Sequence, residues 1–198
     1  MGPRNTAIVV YCTAVGFAIL YATQPLLPLL AEQWGRPVGD AALLTTATMV
    51  PLALGPVLYG YVLEHVSTKH MLTAGFGVLT LAQFAISLGP DYPLFFVLRT
   101  LEGAMLPAIF TALMTYSSAA GGQQRTRRNI TVYIAATIAG GFSGRALSGV
   151  MTDLLSWQAA FLFWAAAALL ATWLTTRLDS DPRVRLGRCF RDAETLHS

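Results

Sequence analysis

Three polar constellations interrupt otherwise apolar stretches of this sequence, and each carries groups able to bind or exchange charge. Arg145 stands near the middle of residues 130–155, ITVYIAATIAGGFSGRALSGVMTDLL. A guanidinium at the centre of a membrane-crossing helix costs between about 2.5 and more than 10 kcal/mol, so it must face a partner or a wet cavity rather than lipid. Arg99 and Glu102 lie three apart, on one face of a helix and spaced for a salt bridge. A carboxyl beside a fixed cation is what a proton-coupled carrier requires: the carboxyl takes up and releases the proton, and the guanidinium adjusts how readily. The same spacing also suits an inert buried pair, or one near enough to the membrane surface to snorkel. In residues 21–28, YATQPLLP, Tyr21 and Gln24 stand beside two prolines. Gln24 there either lines a substrate path or bonds to a carbonyl that a proline has freed.

These groups need apolar elements to hold them. Six stretches, at about residues 5–30, 41–63, 71–88, 94–117, 130–155 and 158–176, are apolar runs of the length a transmembrane helix needs. The expected class is all-α, a polytopic membrane protein of six transmembrane helices. The first run has no A-x-A-like cleavage site and more spans follow it, so it reads as a retained span rather than a signal peptide. Residues 1–6, MGPRNT, fit a myristoylation pattern of low specificity, which is set aside. Pro51 and Pro56 fall within the second run and predict a kinked, internally packed helix. In the fifth, Gly140, Gly144, Ser148 and Thr152 recur every four positions beside Gly141 and Gly149, a small-residue stripe that lets another backbone approach closely. Residues 178–198 form a charged tail, DSDPRVRLGRCFRDAETLHS from Asp179 onward. The connections are short, so function has to sit among the helices.

Composition agrees with this placement. The chain is 55% hydrophobic and only 12% charged, about half the charged share of an ordinary soluble domain. Its sequence pI near 9.1 reflects loop charges rather than a nucleic-acid surface. With the N-terminus inside, the cytoplasmic segments hold 10 of the 13 Lys and Arg: Arg4, Lys69, the group at 125, 127 and 128, and five arginines from Arg177 on. Only Arg36 is outside, so both termini are expected in the cytoplasm. Cys12 and Cys189 occupy different environments and imply no disulfide framework. His65 and His70 stand without a Cys or carboxylate cluster at ligand spacing, so no metal site is expected, and no cofactor. The sequon at Asn129 falls on the cytoplasmic side and is rejected.

Placed in order, these residues resemble the N-terminal half of the major facilitator superfamily, in particular bacterial drug-efflux permeases of the proton-antiporter kind. Arg99-Thr100-Leu101-Glu102-Gly103 is similar to the family's fourth-helix motif R-x-x-q-G, whose Arg is associated with proton coupling. Residues 60–69 align with the second-connection motif G-x-x-x-D-R-x-G-R-R, which latches the cytoplasmic gate. Here Gly60 and Lys69 match, while Glu64 replaces Asp, His65 replaces Arg and Ser67 replaces Gly. Residues 140–149 resemble the antiporter motif G-x-x-x-G-P-x-x-G-G, with Arg145 at the proline position and Ser148 at the first of the paired glycines. Residues 156–161, SWQAAF, are similar to the opening of the family's sixth helix.

The resemblance implies a secondary transporter in the bilayer of a bacterial inner membrane. It would export a small drug-like or amphipathic solute, with protons as counter-ion and Arg99, Glu102 and Arg145 in transport and coupling. Tyr21 and Gln24 would line the substrate path; Gly60, Glu64 and Lys69 would form the gate; Gly103, Gly140, Gly144, Ser148 and Gly149 would pack helices. Family members carry about twelve spans as two six-helix halves with the substrate between them. Six spans therefore imply pairing with a second copy as a homodimer, pairing with a separate second half, or a truncated fragment that does not transport.

Two other classes fit less well. Residues 141–144, GFSG, match the G-x-S-G of an intramembrane serine protease, yet a nucleophilic serine needs a base and no histidine falls in a later span. The chain is therefore not expected to be an enzyme. A channel would need a carbonyl filter or a ring of like charges, and the sequence supplies neither.

Overall fold

A computed structural model of the chain describes residues 2–118 and 123–178, apart from the side chains at 58 and 60–65. Every regular element among the described residues is helical: α1 (Pro3–Ala22), a 3-10 turn (Gln24–Leu26), α2 (Leu27–Gln33), α3 (Val38–His65), α4 (Thr68–Ser87), α5 (Tyr92–Ser118), α6 (Gln123–Leu154) and α7 (Trp157–Thr176). Joined through the turn, α1 and α2 make the first of six helical segments long and apolar enough to cross a membrane; α3 to α7 make the other five. The expected tail from residue 179 on, with Cys189, lies outside the described residues.

Proline chemistry explains the break in the first span. Pro25 and Pro28 cannot donate to the helix ladder, and the α-helix gives way to a 3-10 turn at Gln24–Leu26 before resuming. Pro51 and Pro56, by contrast, sit inside an uninterrupted α3. Asp40 falls in the first turn of α3 and pairs there with Arg36 at 3.2 Å. Ser156 and Ser67 do cap α7 and α4, accepting from the backbone N–H of Ala159 and His70.

The helices pack in three intimate pairs, α4 with α7, α1 with α6 and α3 with α5, and α4 joins α5. Ile19, Phe76, Leu79, Leu106, Ile109 and Ala168 are fully buried where α1, α4, α5 and α7 meet. A second cluster closes one end, where Phe95 meets Phe161 edge-on at 5.6 Å and Trp34 at 5.2 Å. The opposite end is basic. There Lys69 donates to the Leu178 carbonyl at 3.2 Å, and Thr73 and Thr175 hydroxyls meet at 3.0 Å, tying the start of α4 to the end of α7.

Candidate functional site

Small residues place α6 against α1. A Cβ added to Gly140 would collide with the Ala14 backbone, and one added to Gly144 with the Ala18 backbone, so the two helices touch main chain to main chain. Gly103 likewise abuts the backbone of Thr48, seating α5 on α3. Ser148 accepts a 2.8 Å hydrogen bond from the Trp164 indole and so joins α6 to α7. Gly149 departs from the expected packing stripe: a Cβ there would meet only Pro25, at 4.0 Å, an ordinary contact. At that level α6 faces the 3-10 turn after Ala22, and meets it through the Pro25 side chain rather than main chain to main chain.

Arg99 and Glu102 are the most deeply enclosed charges among the described residues, 1% and 0% exposed. They form the ion pair that their spacing suggests. Glu102 also accepts from the Gln83 amide of α4 at 2.7 Å. Arg99 reaches across to α1, where it donates to the carbonyls of Leu20 at 3.2 Å and Ile19 at 3.5 Å. Those carbonyls belong to the last turn of α1, whose C=O groups have no partner within their own helix. The guanidinium therefore caps α1 just before its break, where the helix dipole favours a cation. Its donors point into protein.

Arg145 has the opposite setting. Its side chain is exposed on the α1–α6 face, lying over the Tyr21 ring with Cζ 3.9 Å from the centroid. Its Nε donates to Gln24 Oε1 at 2.8 Å and Nη1 to the Gly141 carbonyl at 3.1 Å. Gln24 thus bonds across to α6 rather than to a carbonyl freed by proline. Tyr21 and Arg145 border an open cavity of about 360 Å³ lined also by Phe17, Thr137, Ile138 and Phe142. Tyr21, Gln24 and Arg145, separate features of the sequence, form one site.

Arg99 is seven residues from the start of α5, and Arg145 nine from the end of α6. At 1.5 Å per residue both lie about 10–14 Å from the aromatic end of the bundle. Because α6 begins at Gln123, its polar first turns, including the sequon at Asn129, extend the helix at the basic end.

The gate residues are only partly visible. The side chains of Gly60 and Glu64 lie outside the described residues, and Lys69 engages the end of α7 as above. Ser143, the nucleophile of the protease alternative, donates to the Gly140 carbonyl of its own helix at 3.0 Å. Among the described residues no group of His, Cys, Asp and Glu is arranged to hold a metal. Gln83 is a site residue that sequence reasoning missed. The signal that singles out Gln24, an amide inside an apolar run, would have found it. Phe17 and Phe110, stacked at 4.1 Å beside the cavity, carry no comparable signal, since aromatics in a span are ordinary core.

Comparison with known proteins fits this architecture. The sequence model of the Major Facilitator Superfamily matches residues 9–188. The chain is 26% identical over 160 residues to the inner membrane transport protein YnfM of Escherichia coli, covering 79% of the chain and 38% of that protein. It is 30% identical over 190 residues to the cephamycin export protein CmcT of Amycolatopsis lactamdurans, covering 91% of the chain and 38% of that protein. An uncharacterized MFS-type transporter of Bacillus subtilis, YybF, is 24% identical over 156 residues, covering 79% of the chain and 39% of that protein. The chain thus spans about two fifths of the length of the curated relatives it matches.

Proposed function

The chain belongs to the Major Facilitator Superfamily, and on that premise we propose that it forms the N-terminal-type half of a proton-coupled exporter of small amphipathic solutes. Its six-helix bundle works against a second six-helix unit, supplied by another copy or a separate half, with the solute between them. Both termini face the cytoplasm of a bacterial cell, with the basic end of the bundle inward. The export direction is suggested by the printed function of the cephamycin relative.

The observation that carries the proposal is the single covalent step between the two charged sites. Leu20 accepts from Arg99, and the next residue, Tyr21, carries Arg145 on its ring. When Glu102 takes a proton, Arg99 loses its counter-charge and its hold on the last turn of α1 changes. The break at residues 23–26 then re-aims Tyr21 and Gln24 relative to Arg145, so proton occupancy on one side of α1 alters solute binding on the other. Gln83 keeps the carboxyl oriented through this exchange.

The test is flux in proteoliposomes under an imposed pH gradient, with the wild type and an engineered tandem dimer. Gradient-dependent flux that Arg99→Ala and Arg145→Ala reduce is expected. If neither form shows such flux and the two variants behave like the wild type, the transporter reading fails.

A further inference from the structure

Resting on that transporter reading, we infer that the cavity beside Arg145 selects a solute carrying a carboxylate on an apolar body. The inference comes from a missing counter-charge. Arg99 has Glu102 and Arg36 has Asp40, but among the described residues no carboxylate pairs with Arg145. Its three contacts, Gln24, the Gly141 carbonyl and the Tyr21 ring, are all neutral. They fix the plane and direction of the guanidinium while leaving its charge whole. Nη2 makes no hydrogen bond among the described residues, so one edge remains for an incoming acceptor. An uncompensated cation at membrane depth is costly, and a bound anion relieves that cost.

The geometry also indicates what the anion is attached to. The cavity of about 360 Å³ is walled by Phe17, Tyr21, Ile138 and Phe142, with Thr137 as its other polar side chain. That lining accepts a one- or two-ring apolar body, and a planar carboxylate matches the fork of a guanidinium held in place. A lipid phosphate is a poorer source. Arg145 lies nine residues from the end of α6, about 14 Å from the aromatic end of the bundle and below headgroup level.

Binding in lipid nanodiscs tests this without requiring transport. The probes are 2-naphthoate, 2-naphthamide and 2-naphthylmethylamine, alike in size and different in charge, with empty nanodiscs subtracted. The wild type is expected to bind the carboxylate at least tenfold more tightly than the amide, and the amine most weakly. Arg145→Gln should erase the preference while keeping the wild-type circular dichroism spectrum and unfolding midpoint, which shows the fold intact; Arg145→Lys should retain part of it. The inference is overturned if the wild type does not discriminate, or if the preference survives in Arg145→Gln. It is also overturned if anionic nanodisc lipid abolishes naphthoate binding, which would make a lipid phosphate the partner, or if the carboxylate fails to bind at millimolar concentration. A second unit's own carboxylate filling the site would appear as this last result. Gradient-driven flux of neutral solutes without a carboxylate preference would sink the inference and leave the transporter reading standing.

Discussion

Arg99 is held by two different interactions, and a double-mutant cycle separates them. Glu102→Gln removes one charge but leaves an acceptor for Arg99 and for Gln83. It strands a cation 1% exposed between α1 and α5, and breaking a buried pair from one side costs about 3–5 kcal/mol. Arg99→Met strands the carboxylate at a similar cost and also orphans the Leu20 carbonyl, whose bond to Arg99 is 3.2 Å; the lost acceptor adds about 1–3 kcal/mol. The Ile19 contact at 3.5 Å is too long to add much. The double variant leaves no buried charge at this site and a neutral amide–amide pair between α4 and α5, so only the Leu20 term of about 1–3 kcal/mol remains. The coupling energy should therefore be at least about 3 kcal/mol. Equilibrium unfolding in mixed SDS and lipid micelles, followed by circular dichroism, measures it. Additive single effects would refute the ion pair as an energetic unit. A double variant as stable as the wild type would refute the capping of α1.

Other expectations follow from the packing and topology. Gly144→Leu must push α6 off the Ala18 backbone, at a cost of about 1–3 kcal/mol or more, whereas Gly149→Ala, with 4.0 Å to its nearest neighbour, should leave the unfolding midpoint nearly unchanged. Trp164→Phe removes the 2.8 Å bond to Ser148 and should lower stability by about 1 kcal/mol in the same assay. In a background with Cys12→Ser and Cys189→Ser, Lys69→Cys should react with an impermeant maleimide only from the cytoplasmic side and Arg36→Cys only from the other; the reverse pattern would invert the proposed orientation.

Much of this architecture is legible because hydrocarbon imposes simple rules. Six long apolar runs, loop arginines on one side and a Gly140–Gly144 stripe each follow from what a bilayer tolerates, and the helices and their α1–α6 contact correspond. Arg99 and Glu102 are legible as a pair because three residues along a helix brings them together. What the sequence could not reveal is the long-range partner. Nothing in residues 99–103 says that the guanidinium will cap Leu20, some 79 residues earlier. Nothing at Gln24 says that it will meet Arg145, 121 residues later. Gly149 shows the same limit in reverse: it lies beside the stripe, but what faces it is the Pro25 side chain of the broken first span, at 4.0 Å, rather than a close backbone. The length of α6 is also hidden, because that helix begins at Gln123 and continues through polar residues that apolarity alone excludes.

The central claim is that the carboxyl of Glu102 controls the last turn of α1, and hydrogen–deuterium exchange reads that turn directly. Comparing wild type with Glu102→Gln in nanodiscs, the backbone amides of residues 20–24 should exchange at least about tenfold faster in the variant, corresponding to a loss of about 1.4 kcal/mol of local stability, while α4 and α7 stay protected. Unchanged exchange at residues 20–24, or acceleration spread evenly over the bundle, would contradict the account.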